Sequence, residues 1–312
     1  MAHSLAQIRA IARYERLMYW RQRTGFVMMF PLCLITLLLC LSYHNMLTAP
    51  HPLVISMPLT VEEQAECAAS NMVCSRTQVI DPATASPEMI KQAEMEWQRM
   101  LATRLFSMEL PLHLFVLILI PLLVADAIPK DSKFRMRELL DTLSMESGTY
   151  LAGKVIGAVL MSIESLTIPY MFLGILWWTL ISPFDLLPYL ALWIGSLVPV
   201  AIFSAGLAVL IASGQPSRRR ALLVAVVLVV TACLSMAIAF GDVTAFDYLN
   251  IGRPIPYRFY IGQLNTLSGS VDEQNVIGQV TNVQVALSAA VGILELVFLW
   301  WIARLLLNRR RY

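Results

Sequence analysis

The chain has 312 residues, of which 58% are apolar and only 14% charged, and its mean hydropathy is +0.66. That balance argues against a soluble globular protein and marks an integral membrane protein whose apolar residues are bunched into spans. A formal net charge of +2 is too small to argue for a nucleic-acid partner, so the placement of the charges carries the information.

The chain opens on a basic amphipathic stretch. Between residues 6 and 23, Ile8, Ile11, Leu17 and Met18 alternate with Arg9, Arg13, Arg16, Arg21 and Arg23, which predicts an interfacial helix along the inner leaflet within residues 1–25. A cleaved signal peptide fits less well, because the apolar run that follows is long and no small-x-small site lies close behind it.

Six stretches then reach the roughly 20 apolar residues that a bilayer crossing needs. They are Phe26–Ser42, Met108–Ala125, Leu151–Ile181, Leu186–Ala212, Ala221–Phe240 and Val285–Leu307. The expected fold is all-α: one polytopic transmembrane domain over residues 1–312 with six transmembrane helices. Of the 23 Lys and Arg, 17 fall in residues 1–25, 126–154, 213–220 and after Ala303, which places both termini in the cytoplasm.

The largest segment between spans, residues 43–107, is expected on the outer side and is too short and too polar for a large core of its own. In it Thr60 reads as a helix cap, and Ser86-Pro87-Glu88 as a strong helix start, with Pro87 at the first helical position and the helix running on into the second span. Cys67 and Cys74 suit a small disulfide loop in an oxidising compartment and are free thiols in a reducing one. Cys33, Cys40 and Cys233 fall within spans and read as small packing residues. His44, Met46, His51 and Met57 lack the tight spacing of a metal site. Glu109 and His113, one turn apart, read as a structural pair.

Between the second and third spans lies a polar island, Asp126 to Lys154, that organises the rest. Met136, Leu139, Leu140 and Leu143 recur at helical spacing while Arg137, Glu138 and Asp141 fall on the opposite side, so a short amphipathic helix is expected there on the cytoplasmic side. The run Gly148 to Lys154 nearly spells a phosphate-binding loop. Val155 stands where the magnesium-binding hydroxyl is required and a helix comes before it instead of a strand, so the run reads as a helix start with Lys154 snorkelling to the inner interface.

Ionisable groups inside spans are functional candidates by default. Glu164 and Glu295 are expected at similar depth, with no Lys or Arg in the spans to pair with them. Two readings stay open: a shared cavity touching a cationic or hydroxylated substrate or relaying protons, or hydrogen-bonded carboxyls between helices. Residues 241–284 form a second outer segment, read either as aromatic helices dipping into the outer leaflet or as a surface loop. No zinc-protease or serine-elbow signature is present, which leaves an enzyme as the weaker class.

The interfacial start, the six spans and the run Arg137-Glu138-Leu139-Leu140-Asp141-Thr142-Leu143-Ser144 leading to Tyr150-Leu151-Ala152-Gly153-Lys154 resemble the type-2 ATP-binding-cassette exporter permeases. The resemblance implies that Arg137, Glu138, Leu139, Leu140, Asp141 and Leu143 form the coupling helix that docks on an ATPase. It implies two ATPase subunits as partners, a second permease copy or paralogue, membrane lipids around them, and a place in the plasma membrane. No cofactor is expected on this chain; ATP and Mg would sit on the partner ATPase. The alternatives are a membrane anchor or assembly subunit that transports nothing, or a polytopic enzyme using Glu164 or Glu295.

Overall fold

A computed structural model describes residues 2–47, 53–57, 76–80, 85–125, 127–133, 146–184, 186–215, 217–238 and 280–309, with residues 247, 248, 255 and 259 described singly. Helices dominate. They are α1 (Ala2–Arg21), α2 (Thr24–Leu47), α3 (Pro87–Ser107), α4 (Glu109–Val124), α5 (Ala127–Lys133), α6 (Ser147–Leu180), α7 (Leu186–Leu192), α8 (Val198–Ser213), α9 (Arg218–Ile238) and α10 (Asn282–Arg309). Five helical stretches among the described residues are long and apolar enough to cross a membrane: Thr24–Asn45, Pro111–Pro129, Ser147–Leu180, Tyr189–Ser213 and Asn282–Leu307. The expected span Ala221–Phe240 is helical over its described residues, 221–238, within α9, and no charged residue follows Arg220 in that helix.

The helices alternate in direction. The end of the bundle that holds the start of α6 is its base. Ser4 of α1 shares a hydrogen bond with Thr149 there, and Arg304 near the end of α10 pairs with Glu146 at 3.6 Å, so α1 begins and α10 ends at the base. Ala125, Ala212, Ala221 and Ala225 cluster, which brings the end of α4, the end of α8 and the start of α9 to the same level. At the opposite end His44 of α2 is 2.7 Å from the Leu180 carbonyl of α6, and Tyr43 packs on Trp177 with ring centroids 5.9 Å apart.

α6 is the axis of the bundle. Its 34 residues make a rod of about 50 Å, flanked by α1 over its first half and by α2 over its second. The turn between the two flanking helices is short, and Arg23 takes a left-handed φ of 62° to make it. α8 is the most enclosed of the candidate spans and α10 the least. Lipid tails are as apolar as Leu, so helices in a bilayer associate through close packing instead. The buried small residues of α8, Ala201, Ser204, Ala205, Gly206, Ala208 and Ala212, allow that approach to α4 and α6.

α7 stacks on α6 through a reciprocal tyrosine pair. The Tyr170 and Tyr189 rings stack at 4.2 Å, and each hydroxyl donates to the other residue's carbonyl. α7 and α8 are joined by a π-helical turn, Trp193–Leu197, in which the Val198 N–H donates to the Trp193 carbonyl five residues back. Pro199, which lacks an N–H, follows directly.

Outside the bundle the helix start at Ser86 stands as expected: Ser86 Oγ accepts from Met89 N–H at 3.3 Å, and α3 continues into α4 with a one-residue break at Met108. The segment also carries an antiparallel two-stranded ribbon that the sequence reading lacked, β1 (Leu53–Met57) with β2 (Arg76–Ile80), in register Leu53↔Ile80 to Met57↔Arg76. A lone ribbon is marginal, and here β1 rests on α3. Thr60, Cys67 and Cys74, between the strands, lie outside the described residues.

Candidate functional site

At the base, α1, α5 and α6 are tied together by one buried ammonium. Lys154 Nζ lies 2.6 Å from Glu15 Oε2 and 2.6 Å from Asp131 Oδ2, with the lysine side chain 5% exposed. Tyr150, one turn before Lys154, donates from its hydroxyl to the same Asp131 oxygen at 2.6 Å. Lys154 therefore does not snorkel to the interface. The sequence reading missed that it is held between two carboxylates from other elements.

Glycine brings the helices close enough for this. A Cβ on Gly153 would stand 2.6 Å from Ile11 Cβ, and one on Gly157 would stand 2.6 Å from Glu15 Cβ. The Gly148 to Lys154 run that imitates a phosphate-binding loop lies inside α6, where its glycines serve helix packing.

Burying charges costs several kcal/mol per ion, which the attraction offsets only when geometry and hydrogen bonding are good. Two short ion pairs and the Tyr150 hydroxyl supply both here. The arrangement fixes three elements relative to each other more than it stabilises the fold. Asp131 matters most for position: α5 ends at Lys133, directly before the polar stretch of sequence that holds residues 137–143.

Further along α6, Glu164 meets the end of α1. Trp20 Nε1 donates to Glu164 Oε2 at 3.0 Å, and Arg16 pairs with Glu164 Oε1 at 3.1 Å, the two side chains 40% and 37% exposed. The cation comes from outside the expected spans, as Arg16 belongs to α1, so the absence of Lys and Arg within the spans does not leave Glu164 unpaired. The pairing also places the carboxylate level with the turn between α1 and α2, where an exposed pair of this kind contributes about 0 to 1 kcal/mol.

Glu164 and Glu295 are not brought together. Leu296, the neighbour of Glu295, packs where Gly206 meets Val155, which sets Glu295 level with that part of α6 and about 12 Å short of Glu164 along the axis. Glu295 is half-buried and has a partner of its own. Arg137, Glu138, Leu139, Leu140, Asp141 and Leu143 lie outside the described residues. So do most of residues 241–284 and the side chain of Glu109; His113 is fully buried. Cys40 is buried and Cys33 and Cys233 are half-buried free thiols, as packing residues would be. Among the described residues, no group of three His, Cys, Asp or Glu side chains is placed to hold a metal ion.

Comparison with known protein families and with curated proteins found no match to this chain.

One signal for the missed triad was available. Glu15 is the only acid in residues 1–25, and it shares a helical face with Ile11, Ala12 and Tyr19 instead of with the arginines. An acid on the apolar side of a basic amphipathic helix asks for a buried cation. The sequence does not say which one, because Lys154 and Asp131 lie more than a hundred residues away.

Proposed function

We propose that this chain is the membrane subunit of an ATP-binding-cassette exporter, moving a substrate outward with ATP hydrolysed by a separate ATPase subunit. Both termini and the polar loop are then cytoplasmic, six helices cross the bilayer, and the loop's amphipathic helix docks on the ATPase. The observation that carries this reading is the Glu15–Lys154–Asp131 triad, which joins the element leading into the loop to the longest apolar helix and to the N-terminal helix. A push on the loop is delivered through Asp131 to the base of α6. The start of α1 and the end of α10 at the same end of the bundle also suit an even number of crossings.

The test is Leu139→Asp and Leu140→Asp in the chain purified with its co-isolating ATPase. Stimulation of ATP hydrolysis is expected to vanish while membrane insertion stays normal. Full stimulation in both variants, or a chain that purifies without any ATPase, would refute the proposal.

A further inference from the structure

α1 has two unlike sides. One packs on α6 through Ile11, Ala12, Glu15 and Tyr19, and its charge is neutralised by Lys154. The other is exposed along its length and carries a shallow open groove of about 640 Å³ lined by Leu5, Arg9, Arg13, Tyr14 and Leu17, with the small Ala6 and Ala10 among them. Leu5 and Tyr14 are 66% and 52% exposed. Neither Arg9 nor Arg13 has an ion-pair partner among the described residues, whereas Arg16, Lys154 and Arg304 are paired.

The depth of the groove follows from α6. A rod of about 50 Å, even tilted, fills a bilayer of about 40 to 45 Å including its headgroup layers, so its first turns lie among headgroups. The contacts Ser4 to Thr149, Ile11 to Gly153 and Glu15 to Gly157 set Arg9 and Arg13 beside those first turns. Two unpaired guanidinium groups at phosphate depth, edged by exposed apolar side chains, match a ligand with an anionic head and acyl chains. An acidic protein surface would satisfy the arginines and leave Leu5, Tyr14 and Leu17 in water.

We propose that this groove on α1 binds the headgroup of an anionic phospholipid, with Arg9 and Arg13 on the phosphate and Leu5, Tyr14 and Leu17 against the acyl chains. The assignment to the cytoplasmic leaflet rests on the termini-inside orientation proposed above.

The test uses the full chain in neutral detergent, with retention of phosphatidylglycerol and of phosphatidylcholine read by native mass spectrometry. Phosphatidylglycerol is expected to be preferred, by about 5-fold for each arginine and roughly 25-fold for the pair. Arg9→Gln with Arg13→Gln should remove the preference, while Arg9→Lys with Arg13→Lys keeps most of it and Arg219→Gln, an exposed cation elsewhere, leaves it intact. Millimolar inorganic phosphate should not displace the lipid. Equal retention of the two lipids, an unchanged preference in the glutamine pair, an equal loss in Arg219→Gln, or displacement by inorganic phosphate would each overturn the site. If the glutamine pair does not fold, loss of the preference in the folded lysine pair overturns it too. Orientation is read separately, from a tag after Tyr312 exposed to protease. Digestion in sealed right-side-out vesicles would refute the cytoplasmic leaflet without touching the binding result.

Discussion

Lys154→Met removes the only cation of the triad and keeps its bulk. Glu15 and Asp131 each approach Nζ at 2.6 Å, so their nearest oxygens are at most about 5 Å apart. Two unit charges at that separation repel by about 3 kcal/mol at an effective dielectric constant of about 20. Breaking a buried pair by removing one partner typically costs about 3 to 5 kcal/mol, which agrees with that figure. Thermal unfolding in detergent, followed by tryptophan fluorescence, should show the midpoint falling by roughly 5 to 8 °C. The neutral set Glu15→Gln, Asp131→Asn and Lys154→Met should recover most of that loss, because no uncompensated charge remains buried. On the exporter reading proposed above, its coupling to the ATPase should stay impaired, since the tie between α5 and α6 is gone. A loss below about 1 kcal/mol in Lys154→Met would refute the electrostatic reasoning, and full ATPase coupling in the neutral set would refute the transmission role.

Two further expectations concern neighbouring contacts. Gly153→Val should drive α1 off α6, because its Cβ alone would stand 2.6 Å from Ile11 Cβ; a Ser4→Cys and Thr149→Cys crosslink that closes as readily in this background as without it would show that the close approach is not needed. Glu164→Gln should lower stability by no more than about 1 kcal/mol, given the exposure of its pair with Arg16, and on the proposed exporter reading should leave transport unchanged; a large loss of transport at unchanged stability would return Glu164 to the substrate path.

The bundle was legible where a single local signal decides. Five of the expected spans fall on helical stretches long and apolar enough to cross a membrane, because hydropathy and length suffice to place α2, α4, α6, α8 and α10, and the described part of the sixth is helical in α9. The start of α3 was legible because Ser86 and Pro87 act on the backbone beside them. The tie at the base was not, since Glu15 finds its partners through tertiary packing of α1 on α6. Lys154 shows the same limit: one cation near a helix start reads as snorkelling until the element covering it is known. The ribbon escaped notice because Leu53–Met57 and Arg76–Ile80 are short and separated by a long intervening segment, with no tight turn to announce their pairing.

The π-helical turn between α7 and α8 stores one residue more than an α-helix of the same length would hold. Hydropathy averages pass over it, since Trp193–Leu197 is short and carries no charged residue. If that turn were rewound as α-helix, residues 186–192 would swing by about 100° against the rest of the span. Tyr189 would then leave the face that stacks on Tyr170, and both carbonyls would lose their hydroxyl donors. The tyrosine pair and the wide turn are thus alternatives to being separately relaxed: the stack keeps the helix overwide, and the overwide turn keeps the stack in register.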